Sequence, residues 1–372
     1  MISLLLAAAL QELQVDAALP GGNIVVDRIE GDSVSVHQDL RDTAGDWFYW
    51  MFRVRGAQGR TLTFHFTKGN VIGVLGPAMS ADGGLTWTWL GKDAVAGSSF
   101  KHAFSADEKD VRFCVSIPYF EADLQRFLAR HDAVRVETLC ETKKGRKVER
   151  LRLGTGSTRL LFTARHHACE MIASYVLEGI LAEALDDPWY RASTEILAVP
   201  FVDKDGVEDG DQGKNRKPRD HNRDYVGESI HESTKALREY APAWADGRLK
   251  FAMDLHCPAL RGDHNETIYF VGSEDAENSK RIEKLSAILE AGQTGPLKYS
   301  SRDFVPFGTA WNTSANFKQG TPMARWALGL PGSPTATTLE VSYANANGAT
   351  VTADSARALG RDLARAIRKL LE

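Results

Sequence analysis

The sequence predicts a mixed, largely parallel α/β sheet flanked by helices, preceded by an all-β sandwich. Three observations carry this. Between Asn23 and Tyr119, short β-branched or aromatic runs are separated by Gly, Asp and Asn, the rhythm of strands joined by tight turns. From Leu160 onward, apolar runs alternate with amphipathic stretches, as parallel strands do when helices cover both faces. A chain of 372 residues is long enough for two cores. The expected division is a leader at 1–20, a sandwich at 21–120 and an α/β domain at 121–372.

In the first domain, strands are expected at 24–26, 34–36, 48–54, 62–66, 87–90 and 111–115. Leu62, Phe64 and Phe66 alternate with Thr63 and His65, which gives a strand one buried face. Trp47, Trp50, Trp87 and Trp89 could build a sugar platform, but packing between sheets is the commoner use of such rings. Nothing in this half suggests chemistry.

A linking helix follows at 121–131, with Leu124, Phe127 and Leu128 on one face. Runs at 134–136 and 148–153 flank Lys143-Lys144-Gly145-Arg146, expected to be the solvated tip of a hairpin. Then come a strand at 160–164, a helix at 171–185, a strand at 196–202 and a polar loop at 203–225. A strand at 249–256, helices at 274–291 and 354–371, and an apolar β run at 337–341 complete the pattern.

A net charge of −4 gives no reason to expect nucleic acid as a partner. No run approaches a membrane span, so membrane insertion is not expected. Four scattered cysteines, Cys114, Cys140, Cys169 and Cys257, make no disulfide scaffold and no zinc ribbon. The apolar start, ending in Ala7-Ala8-Ala9, resembles a secretory signal lacking its basic residues, which tilts the expectation towards export. The oligomeric state is open.

The chemistry concentrates at strand ends. His167 and Glu170 stand three apart where an apolar strand meets a helix, so they can share a face and grip one ion. That spacing alone is weak. His256 closes another strand about ninety residues later, completing an open His-Glu-His set of the catalytic zinc type. Glu340 lies inside an apolar β run, where an unpaired carboxylate is costly unless it works. The acidic stretch 203–211 lacks EF-hand spacing, which argues against calcium. Residues 214–224 concentrate cations and amides suited to a carboxylate or an oxyanion.

In order and approximate spacing, His167-x-x-Glu170, Asp220-His221-Asn222-Arg223, Asp254-Leu255-His256 and Thr338-Leu339-Glu340 resemble the zinc metallocarboxypeptidases. Trp47-Phe48-Tyr49, Gly76-Pro77-Ala78-Met79-Ser80 and Ile117-Pro118-Tyr119 look like landmarks of the cytosolic-carboxypeptidase branch, whose catalytic domain follows a β-sandwich. The resemblance implies one Zn²⁺ per chain on His167, Glu170 and His256, with Asp220 orienting a ligand histidine. It implies Glu340 as general base, Asn222 and Arg223 as the clamp for a peptide's terminal carboxylate, and a peptide or protein C-terminus as substrate. Arg216, with Arg219 as its rival, is the expected oxyanion cation. Arg325, fifteen residues before Glu340, is the expected selector of acidic C-terminal side chains.

Two features depart from the pattern. No Tyr occurs in 300–342, where digestive relatives carry a mobile one, and the third ligand is followed by Cys257-Pro258. Cys169 and Cys257 each neighbour a ligand and are expected as two packed free thiols. The other histidines, including His166 and His221, are read as structural. The competing readings are a zinc amidohydrolase acting on N-acyl amino acids and a binding homologue without turnover.

Overall fold

A computed structural model describes residues 12–45 and 47–372. The described residues divide into two compact units, one of residues 12–39 and 48–115, the other of residues 40–45, 47 and 116–372. Residues 40–47 leave the β-rich stretch and belong with the second unit.

The first unit contains strands β1 (Gln14–Asp16), β2 (Val25–Glu30), β3 (Ser33–His37), β4 (Met51–Arg55), β5 (Thr61–Phe66) and β6 (Ala78–Ser80). They are followed by β7 (Thr88–Trp89), β8 (Val95–Ala96), β9 (Ser99–Ala103) and β10 (Asp110–Cys114). Two five-stranded sheets result, in orders β1-β4-β10-β6-β7 and β2-β3-β5-β9-β8. The alternation read at 62–66 is real: Leu62, Phe64 and Phe66 are buried. Their rings interleave with the other sheet, with Trp50 4.7 Å from Phe66 and Phe52 5.2 Å from Phe64. Trp50 is core, its indole Nε1–H donating to Val71 O at 2.8 Å. The expected leader spans residues 1–20. Residues 1–11 lie outside the described residues, but Gln14–Asp16 pairs with β4 as an ordinary strand.

The second unit runs α1 (Glu121–Leu128), β11 (Arg135–Glu141), β12 (Lys147–Gly154), β13 (Thr158–Ala164), α2 (Ile172–Asp186), α3 (Pro188–Ser193) and β14 (Thr194–Val199). Then come α4 (Lys204–Asp209), α5 (Glu232–Ala245), β15 (Leu249–His256), β16 (Ile268–Val271), α6 (Ala276–Gly292), α7 (Met323–Leu328), β17 (Thr335–Val341), β18 (Asn345–Ala346), β19 (Ala349–Thr350) and α8 (Ala353–Leu371). One sheet of seven strands, β11-β12-β14-β13-β15-β17-β16, forms its centre. β14, β13, β15 and β17 are mutually parallel, while β11, β12 and β16 join antiparallel. The expected mixed, largely parallel sheet is therefore present.

Helix α2 is buried along almost its whole length because α8 lies against it without side chains between the backbones. A Cβ on Gly179 would meet Arg357 O at 2.0 Å, and one on Gly360 would meet Val176 O at 2.1 Å. One reading of the sequence needs correction: the acidic loop contains α4. The basic run is the exposed turn between β11 and β12, as expected, and its Arg146 donates to Asp205 at 2.9 Å and Asp209 at 2.6 Å of α4. Among the described residues, no helix is long and apolar enough to cross a membrane.

Candidate metal centre and its pocket

Parallel strands deliver their carboxyl ends to one edge of a sheet, where open α/β folds place ligands. Here β13 runs into the turn 165–170, β15 ends on His256, and β17 carries Glu340 as the Cα partner of His256. The turn is held from within. Arg165 takes positive φ, and its buried guanidinium donates to Ala168 O at 3.1 Å, Tyr119 O at 2.8 Å and Ser174 Oγ at 3.2 Å. His167 and Glu170 thus share a side through this turn rather than through a helix, since α2 begins only at Ile172.

The Glu170 carboxylate sits between two imidazoles, with Oε1 2.9 Å from His167 Nδ1 and Oε2 2.6 Å from His256 Nδ1. One ligand atom from each of the three lies within 4.8 Å of the others. Aspartates face the far nitrogens, within hydrogen-bond distance only for His256. His256 Nε2 is 2.5 Å from Asp254 Oδ2, and His167 Nε2 is 3.8 Å from Asp220 Oδ1. Asp254 also binds His166 Nδ1 at 2.8 Å and accepts from Thr163 Oγ1 at 2.6 Å. His166 reaches Tyr225 OH at 2.7 Å on its other side, so it serves as a buried strut.

Burial pushes both aspartates up in pKa, but their histidines outweigh it and hold Asp254 and Asp220 below the usual carboxylate range. Glu340 goes the other way. Burial, reinforced by Glu170, raises it despite the opposing pull of His256. Its Oε2 is buried with no hydrogen-bond partner among the described residues, an arrangement that costs about 1–3 kcal/mol.

These features permit a test of the expected metal. Two imidazoles and a carboxylate are the donor set of an open, three-ligand Zn²⁺ site. The outer nitrogen of His256 is fixed by Asp254 and that of His167 faces Asp220, the pattern of ligand histidines, and an orphaned carboxylate oxygen of Glu340 lines the same pocket. The residues fit a zinc ion.

A pocket of about 360 Å³ opens on this group. His167, His256, Glu340, Asp220, Asn222 and Arg223 line it, with Trp47, Lys214, Tyr269, Glu274, Trp311 and Arg325. Arg223 faces the pocket and donates from Nη1 to Asn222 O at 3.0 Å. Asn222 is already committed, its Oδ1 accepting from Met323 N at 3.0 Å and its Nδ2 lying 3.1 Å from His256 Nε2. It packs against a ligand histidine whose Nε2–H donates to Asp254.

The arginines expected at the oxyanion do not line the pocket. Arg216 is surrounded by carboxylates, 2.6 Å from Asp203, 2.8 Å from Asp211 and 3.0 Å from Asp42. Arg219 donates to Asp224 Oδ1 at 2.6 Å and to Glu228 O. Sequence spacing counted these cations but could not count the acids folded onto them. Arg325 does line the pocket, but it pairs with Glu274 at 2.6 Å and stacks over Phe317 at 4.4 Å.

The sequence reading missed four pocket or supporting residues. Asp254 was signalled by Asp-x-His inside an apolar strand. Trp47 was assigned to the sandwich, yet it belongs with residues 40–47 and lines the pocket. Tyr269 supplies a phenol in the pocket from β16, outside the stretch where one was sought. Lys214 opens the cationic stretch 214–224 but was not singled out within it; its Nζ lies 2.7 Å from Glu170 Oε1. Cys169 and Cys257 are buried free thiols, and burial drives the Cys169 pKa up to about 12.

No protein-family profile matches the chain. An uncharacterised protein of Zymomonas mobilis is 24% identical over 269 residues, 66% of this chain and 67% of its own. Among solved structures, a metallo-carboxypeptidase from Burkholderia cenocepacia superposes with a TM-score of 0.75 at 18% identity, covering 97% of this chain and 99% of that one. A metallo-carboxypeptidase from Pseudomonas aeruginosa, in complex with (2-guanidinoethylmercapto)succinic acid, does so with 0.71 at 20% identity, covering 96% and 99%. From its first strand to its last helix, the chain has the fold of these metallo-carboxypeptidases.

Proposed function

We propose that the protein is a zinc-dependent carboxypeptidase that hydrolyses the last peptide bond of peptides or proteins, with one Zn²⁺ on His167, Glu170 and His256. One observation carries the reading. Two braced imidazoles, a shared carboxylate and the orphaned Oε2 of Glu340 converge in a pocket that Arg223 also lines. Bound there, Zn²⁺ supplies Lewis acidity towards the scissile carbonyl and acidifies water.

The chain supplies the rest. Glu340 Oε2 takes a proton from the attacking water and passes it to the departing amine, a role suited to a carboxylate whose pKa is raised by burial. Arg223 pairs with the terminal carboxylate through two parallel hydrogen bonds, which restricts cleavage to the chain end. Asp220 and Asp254 keep the imidazoles oriented.

For the side chain removed, the proposal is an acidic residue attracted by Arg325 at the pocket rim. Glu274 shares that guanidinium, so the preference is expected to be modest and to grow in Glu274→Gln. The same carboxylate supports a second reading, a basic C-terminal residue that takes Glu274 from Arg325; the Pseudomonas neighbour binds a guanidino ligand. Export remains part of the proposal and is checked by fractionation.

The test is a panel of peptides with different C-terminal residues, incubated with zinc-loaded protein and read by mass spectrometry. N-acyl amino acids and C-terminally amidated peptides complete the panel. Release of one residue from free-carboxylate peptides is the expected result. Equal cleavage of amidated peptides contradicts the Arg223 clamp, and cleavage of N-acyl amino acids alone favours a deacylase.

A further inference from the structure

We propose that Lys214 is the cation that stabilises the developing oxyanion, in the role expected of Arg216 or Arg219. The proposal rests on the carboxypeptidase reading and names a residue of that site. Among the described residues, the Lys and Arg side chains lining the pocket are Lys214, Arg223 and Arg325. Arg325 is engaged with Glu274 at the rim, and Arg223 is required at the substrate's terminal carboxylate. Lys214 alone of the three touches the ligand group, its Nζ lying 2.7 Å from Glu170 Oε1.

The loop is built to put the ammonium there. Gly213 has φ +76, and a Cβ on it would meet Ala168 N at 2.2 Å. The loop backbone therefore lies directly against the turn that carries His167 and Glu170, an approach open only to glycine. Asp42 fixes the approach by accepting from Gln212 N at 3.0 Å and Gly213 N at 2.9 Å. Thr43 Oγ1 donates to Lys214 O at 2.7 Å. The side chain that follows enters the pocket with its Nζ 4.8 Å from the centre of the Trp47 ring and 3.4 Å from Cys257 O. Among the described residues, Glu170 and Cys257 O account for two of the three ammonium protons, leaving one N–H for a substrate oxygen. A preset donor of this kind acts on charge as it builds and keeps its own proton throughout.

The experiment compares wild type with Lys214→Met and Lys214→Arg, each loaded with zinc. Metal content is measured by plasma emission, and binding of a dipeptide phosphonate, a tetrahedral anion, by calorimetry. In Lys214→Met, kcat is expected to fall about 10²–10³-fold with KM changed less than threefold and zinc retained. Phosphonate affinity falls by a similar factor while binding of the amino-acid product is unchanged. Lys214→Arg recovers part of both. A Met variant with wild-type kcat, or one that loses activity only in proportion to lost zinc, overturns the proposal. So does equal weakening of phosphonate and product. A wild-type protein that cleaves no free-carboxylate peptide instead overturns the carboxypeptidase reading, and the Lys214 role with it.

Discussion

Replacing Glu340 by Gln keeps the shape of the side chain and removes its charge, and the structure predicts opposite effects on turnover and on stability. Glu340 is buried, 8% exposed, and its Oε2 has no partner among the described residues. Leaving such an oxygen unsatisfied costs about 1–3 kcal/mol, and the raised pKa shows that burial disfavours the charged form. Losing the general base should lower kcat about 10²–10⁴-fold. Relieving the buried charge should raise the melting temperature of the metal-stripped protein, since burial disfavours the charged form. Calorimetry in chelator measures the second effect free of metal linkage, and amino-acid release by zinc-loaded protein measures the first. Unchanged turnover refutes the assignment of Glu340 as base. A lowered melting temperature refutes the argument that its carboxylate is held at an energetic cost.

Glu170→Gln or His256→Ala should each reduce bound zinc at least tenfold, read by plasma emission after dialysis against a weak chelator. Arg216→Met should lower stability by about 3–5 kcal/mol by stranding Asp42, Asp203 and Asp211, with kcat of the folded fraction nearly unchanged. A large loss of kcat without loss of stability would return Arg216 to the active site. Gly360→Ala forces a methyl to within 2.1 Å of Val176 O and should destabilise by at least about 1–3 kcal/mol in denaturant melts. Asp82 gives a pH signature: burial raises its pKa, but hydrogen bonds from Thr86, Ser80 and Leu85 outweigh it and hold the carboxyl at about 2. With the folded value depressed below 3.8, its contribution is complete above that pH and lost as pH falls towards 2. Asp82→Asn should therefore be less stable than wild type at neutral pH, with the gap closing by pH 2.

What was legible in the sequence is what periodicity and strand ends report. The buried face of β5 follows from alternation of apolar and polar residues, the parallel core strands from unbroken apolar runs, and the helix at 353–371 from its apolar stripe. His256 and Glu340 could be singled out because a titratable group in an apolar run is conspicuous. What Arg216 and Arg146 do was not legible, because a charge's worth depends on what folds against it. Asp42 reaches Arg216 from 174 positions away in sequence, and Asp209 reaches Arg146 from 63 away. Trp47 was misplaced for a related reason, since eight residues cross from one unit's stretch of sequence into the other unit.

The sequence by itself determined the fold class and the residue types of the candidate metal site, because both are written in local pattern: burial period along each strand, and ligands at strand ends. Only the tertiary structure decided which cation meets Glu170 and which are neutralised. Coulomb interactions act over a few ångströms of space, not of chain. Lys214 acquires its place from a glycine that lets two backbones touch, and Arg216 loses its expected one to three aspartates that only folding brings together.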